Sequence, residues 1–414
     1  MKILYLHPRA WTGEYPVLVA LRERGHELCV LEENRRLPVA RQLTSDFEQP
    51  GDRIATLWFN PRRGAERLLT LPWDRYHRRA FEGRNLAHRA WLVAAAARLF
   101  KPDVIVASDG FSYAVPAAWL RQRGKLTPPL VVSYIGGDIL DFPAAHVGKR
   151  RTPPVTRLIR SVIAAADLLR PVSPLVARAL LAEGAPPEKL RVCPSHLVAD
   201  AATLDDIYRR RPEIRARVRA ALGIAADAPL IVTLSGNLRG KGLQVLAAAW
   251  PQVLAALPQA RWLLAGPADP WLAEAVWPRL EAAGVAATVH ACGPLTGDAV
   301  FEHLAAADLH VNPSLGESLN MVTVEAAAVG TPTVGSDLAG IADWIARFSA
   351  GSVVPAGAAA ELADAIIRAL GDPQRLAGQS LAGRGMAAEF GLERIAGQLE
   401  SLFEEARRAP SLEH

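Results

Sequence analysis

Short apolar runs alternate with amphipathic stretches along almost the whole chain. At the amino terminus the strand-like "KILYL" leads through the loop "HPRAWTGEYP" to the helical pattern "VLVALRERG", stopped at Gly25, and then to the strand "HELCVLEE". The alternation continues through "DVIVAS", "AVPAAWLRQRG", "LVVSYIGGD", "TRLIRSVIAAA" and the short strands "LLRPVS" and "LRVCPS". Near Val198 it gives way to "ADAATLDDIYRRRPEIRARVRAALGIAADAP", polar and charged, which reads as an interdomain connection. A second strand-helix series then runs from "LIVTLSG" to "GSVVP". Two such series predict an α/β chain of two doubly wound, Rossmann-like parallel-sheet domains facing across a cleft. The expected boundaries are 1–200 for the first domain, 201–227 for the connection and 228–385 for the second domain. Residues 386–410 are expected to form a terminal helix packing back toward the first domain.

Bulk properties narrow the class. A chain of 414 residues, 50% of them hydrophobic, can bury two cores. No uninterrupted apolar run reaches membrane-spanning length, and Met1 leads straight into the first strand, so a cytoplasmic protein is expected. Cys29, Cys193 and Cys292 are widely scattered in strand-like contexts and are expected to be buried structural thiols. The net charge of +5 draws on Arg62, Arg63, Arg75, Arg78, Arg79, Arg84, Arg89 and Arg98. They suit an anionic membrane surface or a phosphorylated substrate, or are simply a solvated face. Nucleic acid is not expected, because no recognition motif accompanies them. The stretch "RYHRRAFEGRNLAHRAWLVAAAARLF" has the composition of a basic helix with an apolar side, suggesting peripheral contact with the inner face of the membrane.

Sheets of this kind bind ligands at the carboxyl ends of their strands, and the polar motifs fall there. Gly13, Asp109, Asp138, Gly236 to Gly242 and Glu317 each follow a strand-like run. The loop "SGNLRGKG" sets glycines, Arg239 and Lys241 between a strand and a helix, an arrangement suited to phosphate, although a plain glycine-rich turn fits equally. In "GESLNMVTVEAAAVGTPTVGSD" the carboxylates Glu317 and Glu325 stand on an entry loop and a helix, roughly 9–12 Å apart. That is too far for one metal ion but suits the two ends of an elongated ligand. Taken alone, the pair also fits a helix-end charge and a solvated side chain.

Residues 230–345 resemble the carboxyl-terminal domain of the retaining glycosyltransferase family 4, of the GT-B fold. The family shares a G-R-L...K-G loop and a segment shaped like E-G-F-G-L-x-x-x-E-A-x-A-x-G-x-P-V-V-x-S. The matches here are Glu317, Leu319, Asn320, Met321, Glu325, Ala326, Gly330, Pro332, Val334 and Ser336, then Asp337, Gly340 and Ile341. The resemblance extends over nearly the whole chain. It implies a transferase that moves a hexose from a nucleoside-diphosphate sugar to a hydroxyl acceptor; the basic amino-terminal segment suits a lipid-linked or glycan acceptor, with a soluble small acceptor an equal alternative. Glu317 would contact the hexose, the amides of Leu319, Asn320 and Met321 the sugar and phosphate, Glu325 the ribose and Lys241 the phosphate, with Val322 also in the donor set.

Gly13, Gly236, Asn237 and Arg239 complete the implied donor set, and Glu317, Lys241 and Asp109 the expected catalytic set. Four departures stand out. Asn237 replaces the family's usual Arg, for which Arg239 is the expected substitute; Ser108, Asp109 and Ile135 stand where histidines are common; Thr12-Gly13-Glu14 replaces a glycine pair; and Asn320 replaces a glycine. His7, Asp109, Asp138 and His196 are the acceptor-side candidates. No D-x-D occurs, so neither metal nor separate cofactor is expected. Two other readings remain: a noncatalytic sugar-nucleotide binder, and a nicotinamide-dependent dehydrogenase, which the missing G-x-G-x-x-G disfavours.

Overall fold

The computed structural model describes residues 1–7, 14–33, 42–43, 55–59, 71–72, 75–84, 86–145, 147–148, 152–234 and 240–408. The chain forms two compact units, one of Met1–Asp141, Gly148–Val198 and Leu392–His414, the other of Phe142–Val147 and Ala199–Gly391.

In the first unit the strands are β1 (Lys2–His7), β2 (Glu27–Glu33), β3 (Gln42–Leu43), β4 (Ala55–Phe59), β5 (Val104–Ala107) and β6 (Leu130–Tyr134). The strand β9 (Leu168–Pro171) completes the main sheet, while the two-residue strands β7 (Asp141–Phe142) and β8 (Val147–Gly148) form a small separate sheet around Phe142–Val147, the segment that belongs to the second unit. The sheet order is β3-β4-β2-β1-β5-β6-β9. Apart from β3, this is the doubly wound order 3-2-1-4-5-6, reversing direction between β1 and β5. The expected all-parallel sheet is corrected at its edge, where β3 pairs antiparallel with β4. The expected strand "LRVCPS" is also corrected. It keeps one bridge, Leu169 to Leu190, and Pro194 cannot extend the ladder.

The helix Leu392–Arg408 lies in this unit, with Ile395, Leu399, Leu402 and Phe403 buried against the helix Tyr15–Glu23 and the strands β5 and β6, and Phe403 edge-on to Tyr5 of β1. Arg24 holds it through Glu393 and Glu400, both at 3.2 Å.

The second unit contains β10 (Leu230–Leu234), β11 (Arg261–Ala265), β12 (Val289–Gly293), β13 (Leu309–Asn312), β14 (Thr333–Ser336) and β15 (Gly351–Val354). Its order, β12-β11-β10-β13-β14-β15, repeats 3-2-1-4-5-6 with every pairing parallel. Trp250 and Trp262 meet edge to face at 5.9 Å in its core, their indoles donating to Thr288 and Thr233. At the amino edges of both sheets, an Asp just before a strand accepts the first amide of its neighbour. Asp103 takes Lys2 N at 2.7 Å, Asp167 Leu130 N at 2.7 Å and Asp308 Leu230 N at 2.8 Å.

The stretch 201–227, expected as a connection, is instead largely helical and belongs to this unit. Helices Ala201–Arg209 and Arg211–Ala221 bury Leu204, Ile207, Ile214 and Val218. Arg211, Arg215 and Arg219, one turn apart, donate to the carbonyls of Ala305, Ala306, Ala307 and Gly330, where two helices end. Cations are favoured at such ends, and Asp308 pairs with Arg215 and Arg219. Burial, reinforced by nearby Arg215, pushes Arg211 down to about 10.

The expected basic helix is shortened as well: among the described residues, helical positions 75–77 give way to turns through Gly83 before the helix Ala87–Phe100. Cys29 and Cys193 are buried free thiols, whereas Cys292 is only half-buried.

Candidate functional site

The second sheet reverses direction between β10 and β13, so the loops after these strands define its ligand-binding edge. Lys241 comes from the first loop and Glu317 from the second. Their side chains form an ion pair, 23% and 20% exposed. Burial and the Lys241 charge push His310, behind them, down to about 3, so it is neutral.

Local backbone geometry brings the loops together. Gly242 has φ +69°, and a Cβ there would overlap the Pro313 carbonyl. A Cβ on Gly316 would overlap the Phe142 ring. Glu317 N donates to Leu338 O at 2.9 Å and Gly340 N to Glu317 O at 3.0 Å, which fixes the glutamate backbone.

The Glu317 carboxylate is held on both oxygens. Oε1 faces Lys241, while Oε2 accepts from Asn320 Nδ2 at 2.7 Å and lies 3.1 Å from Ser314 Oγ. Ser336 Oγ donates to Ser314 O at 2.5 Å, anchoring that loop from β14. The helix Met321–Ala328 begins beside this group, capped by the Asn320 side chain on Thr323 N at 2.8 Å. The amides of Met321 and Val322 have no helical acceptor and carry the positive end of the helix. One turn further, Glu325 is half-buried, and its carboxyl makes no hydrogen bond among the described residues. Burial raises it to about 7. The edge thus presents one fixed carboxylate, one ammonium, two helix-end amides and one carboxyl poised to ionise.

Lys241, Glu317, Leu319, Asn320, Met321, Val322 and Glu325 all fall on these two loops and the helix that follows the second. Gly13, Gly236, Asn237 and Arg239 lie outside the described residues, and His7 is described in its backbone only. Sequence reasoning missed Ser314 and Phe142. Ser314 was legible as a hydroxyl three residues before Glu317. Phe142 was not, because it lies far away in the chain.

The equivalent edge of the first sheet lies between the loops after β1 and β5. Asp109 is buried, and its Oδ1 accepts from Phe111 N at 2.7 Å and from Ser112 N. Asp138 accepts from Gly110 N at 2.6 Å and Gly136 N at 2.9 Å, and burial raises it to about 6. His196 is buried, with Nδ1 donating to Leu197 O at 2.8 Å. Glu14, absent from the expected set, is buried here too. Desolvation raises it to about 7, against the opposing charge of Arg170 and with a further push from Asp109.

Two doubly wound sheets of identical order in one chain, with ligand-type groups at a switch point, define the GT-B class. Residues 15–196 match the family model described as glycosyl transferase 4-like domain, and residues 229–372 the model described as glycosyl transferases group 1. The chain belongs to glycosyltransferase family 4. Among curated relatives it is similar to a D-inositol 3-phosphate glycosyltransferase of Nocardia farcinica, 31% identical over 47% of this chain and 45% of the relative. It also resembles a GDP-mannose-dependent monoacylated alpha-(1-6)-phosphatidylinositol monomannoside mannosyltransferase of Corynebacterium glutamicum, 30% identical over 48% of this chain and 52% of that one. The chain spans about half the length of the curated relatives it matches. Among solved structures, Anabaena HepE in complex with UDP aligns with TM-score 0.74 at 20% identity, covering 98% of this chain and 100% of that one. Sucrose-phosphate synthase of Thermosynechococcus elongatus aligns with TM-score 0.72 at 21% identity, covering 99% and 100%. At such identities these two support the fold alone.

Proposed function

We propose that the protein is a retaining hexosyltransferase that uses a nucleoside-diphosphate sugar and a hydroxyl acceptor. The observation that carries the proposal is the Glu317 carboxylate fixed at the second switch point beside Lys241 and a helix start, with Glu325 one turn along. Glu325 accepts the ribose hydroxyls, Lys241 and the amides of Met321 and Val322 meet the diphosphate, and Glu317 meets the hexose. In the reaction, the bond from the anomeric carbon to the phosphate oxygen breaks, and a bond to the acceptor oxygen forms on the same face. The acceptor proton passes to the departing phosphate oxygen. The diphosphate carries off the electron pair, and Lys241 stabilises the developing charge. Asp109, Asp138 and His196 shape the acceptor side, Asp109 through the loop it organises. Turnover is expected to survive chelation by EDTA; full loss, restored by a divalent cation, would contradict that expectation.

Thermal-shift screening against UDP-, GDP-, ADP- and TDP-sugars tests the donor class, since ligand at 100 times its Kd stabilises the native state by about 2.7 kcal/mol. Release of nucleoside diphosphate in a cell extract then separates a transferase from a binding protein. A flat response to every nucleotide sugar would overturn the proposal.

A lipid-borne acceptor is supported by one surface. Exposed Arg75, Arg78 and Arg79 surround Tyr76, 82% exposed, in the first unit. Each Arg near an anionic surface contributes about 1 kcal/mol, so co-sedimentation with anionic vesicles is expected at low salt and lost as screening rises. No helix among the described residues is long and apolar enough to cross a membrane. A protein that stays in the supernatant with anionic vesicles at low salt would remove this part of the proposal.

A further inference from the structure

Asn320 has an unusual backbone for its position. It is one of four described non-glycine residues with positive φ, at φ +81° and ψ 82°, and it is 6% exposed. An L-residue is strained there, Asn less than most. Glycine would remove that strain.

Both ends of the Asn320 amide are engaged. Oδ1 caps Thr323 N at 2.8 Å, and Nδ2 donates to Glu317 Oε2 at 2.7 Å. Capping alone asks only for an acceptor, which Asp supplies as well as Asn. The donor half of the amide serves Glu317.

The lone pairs of Glu317 can be counted. Ser314 Oγ lies 2.9 Å from Asn312 Oδ1 and 3.1 Å from Glu317 Oε2. A hydroxyl has one proton, and an ionised carboxylate has none to give, so that proton goes to Glu317. The Asn312 amide then turns its NH2 toward Ser314, which also partners its otherwise unsatisfied buried Nδ2. Oε2 is thereby filled by Asn320 and Ser314. Among the described residues Oε1 keeps one free acceptor position beside Lys241.

We propose that Asn320 is a positioning residue that fills Glu317 Oε2 and turns Oε1 toward a single hydroxyl of the donor hexose. The proposal rests on the reading of Glu317 as the hexose contact.

The test compares Asn320→Asp, Asn320→Gly and Glu317→Gln by melting temperature, affinity for UDP and GDP, and turnover of UDP-glucose and GDP-mannose. Asn320→Asp keeps the cap but sets a second carboxylate against Glu317. Its diphosphate affinity is expected to stay near wild type, while its melting temperature falls at pH 8, where both carboxyls are ionised, and recovers toward pH 5. Its kcat at pH 8 should fall at least tenfold and recover toward pH 5, as one proton comes to be shared by the two carboxyls. Asn320→Gly should lower kcat without that pH dependence. Wild-type kcat with a flat pH profile in Asn320→Asp, alongside an inactive Glu317→Gln, would overturn the positioning role while leaving the hexose contact standing. Wild-type turnover in Glu317→Gln would overturn both.

Discussion

The two sheets share one strand order, yet their switch points use carboxylates in opposite ways. At the second, Glu317 is partly open, held by a cation, an amide and a hydroxyl, while the Glu325 carboxyl makes no hydrogen bond among the described residues. At the first, Asp109 and Asp138 are buried and turned onto backbone amides, Asp109 within its own loop and Asp138 both within its own and on Gly110 of the neighbouring loop, and Glu14 is buried beside them. Strand order fixes where a ligand edge lies, whereas the partners of each carboxylate decide whether it binds a ligand or holds a loop. The second edge has the chemistry of a polar ligand site, and the first that of a rigid platform.

The sharpest break between the two edges comes from Glu317→Ala, which should lower hexose transfer by about 10²-fold or more, the usual consequence of losing one well-placed polar contact in a transition state. Single-turnover kinetics on folded protein measures it. Glu325→Ala follows, with a loss of about 1.5–3 kcal/mol in diphosphate affinity, read by calorimetry.

Glu325 also sharpens the contrast through pH. Its carboxyl, raised to about 7, must lose a proton to accept two ribose hydroxyls. Diphosphate affinity should therefore rise as pH climbs from about 6 to 8, and Glu325→Gln should remove the portion owed to this group.

Mutations at the first edge should act on folding instead. A Cβ on Gly110 would overlap the Tyr134 ring, so Gly110→Ala should cost about 1–3 kcal/mol, seen as a lower melting temperature with diphosphate binding retained.

The smallest effect is a pH slope. Glu14 at about 7 and Asp138 at about 6 stand above their unfolded values. Their contribution to stability is fully present below about pH 4 and is lost as pH rises through 6 to 7. Melting temperature followed from pH 5 to 8 should fall, and Glu14→Gln should flatten the fall.

What the sequence discloses follows the range of the forces involved. Local backbone demands are legible: Gly25 and Gly330 stand at helix ends with φ +88° and +80°, where glycine and the proline after Gly330 place them. Asp before an apolar run at 103, 167 and 308 marks strand entry in the same way. The spacing of Glu317 and Glu325 places both at one edge because a single loop and helix carry them.

Long-range effects are silent in one dimension. Glu14 reads as an ordinary helix-start acid until Arg170 and Asp109 are folded around it. The arginines at 211, 215 and 219 read as a solvated connection because the carbonyls they bind come from helices some ninety residues on. Strand β4 follows a mixed-charge stretch without a clear pattern and was not anticipated.

The most direct test of the account is calorimetric titration of Glu317→Ala and Glu325→Ala with nucleoside diphosphate, on protein shown to be folded. The ribose and diphosphate are common to donor and product, but the hexose is not. Glu325→Ala is expected to lose diphosphate affinity, while Glu317→Ala keeps it and loses only the added affinity for the sugar-bearing donor. Equal loss of diphosphate affinity in both variants would contradict it.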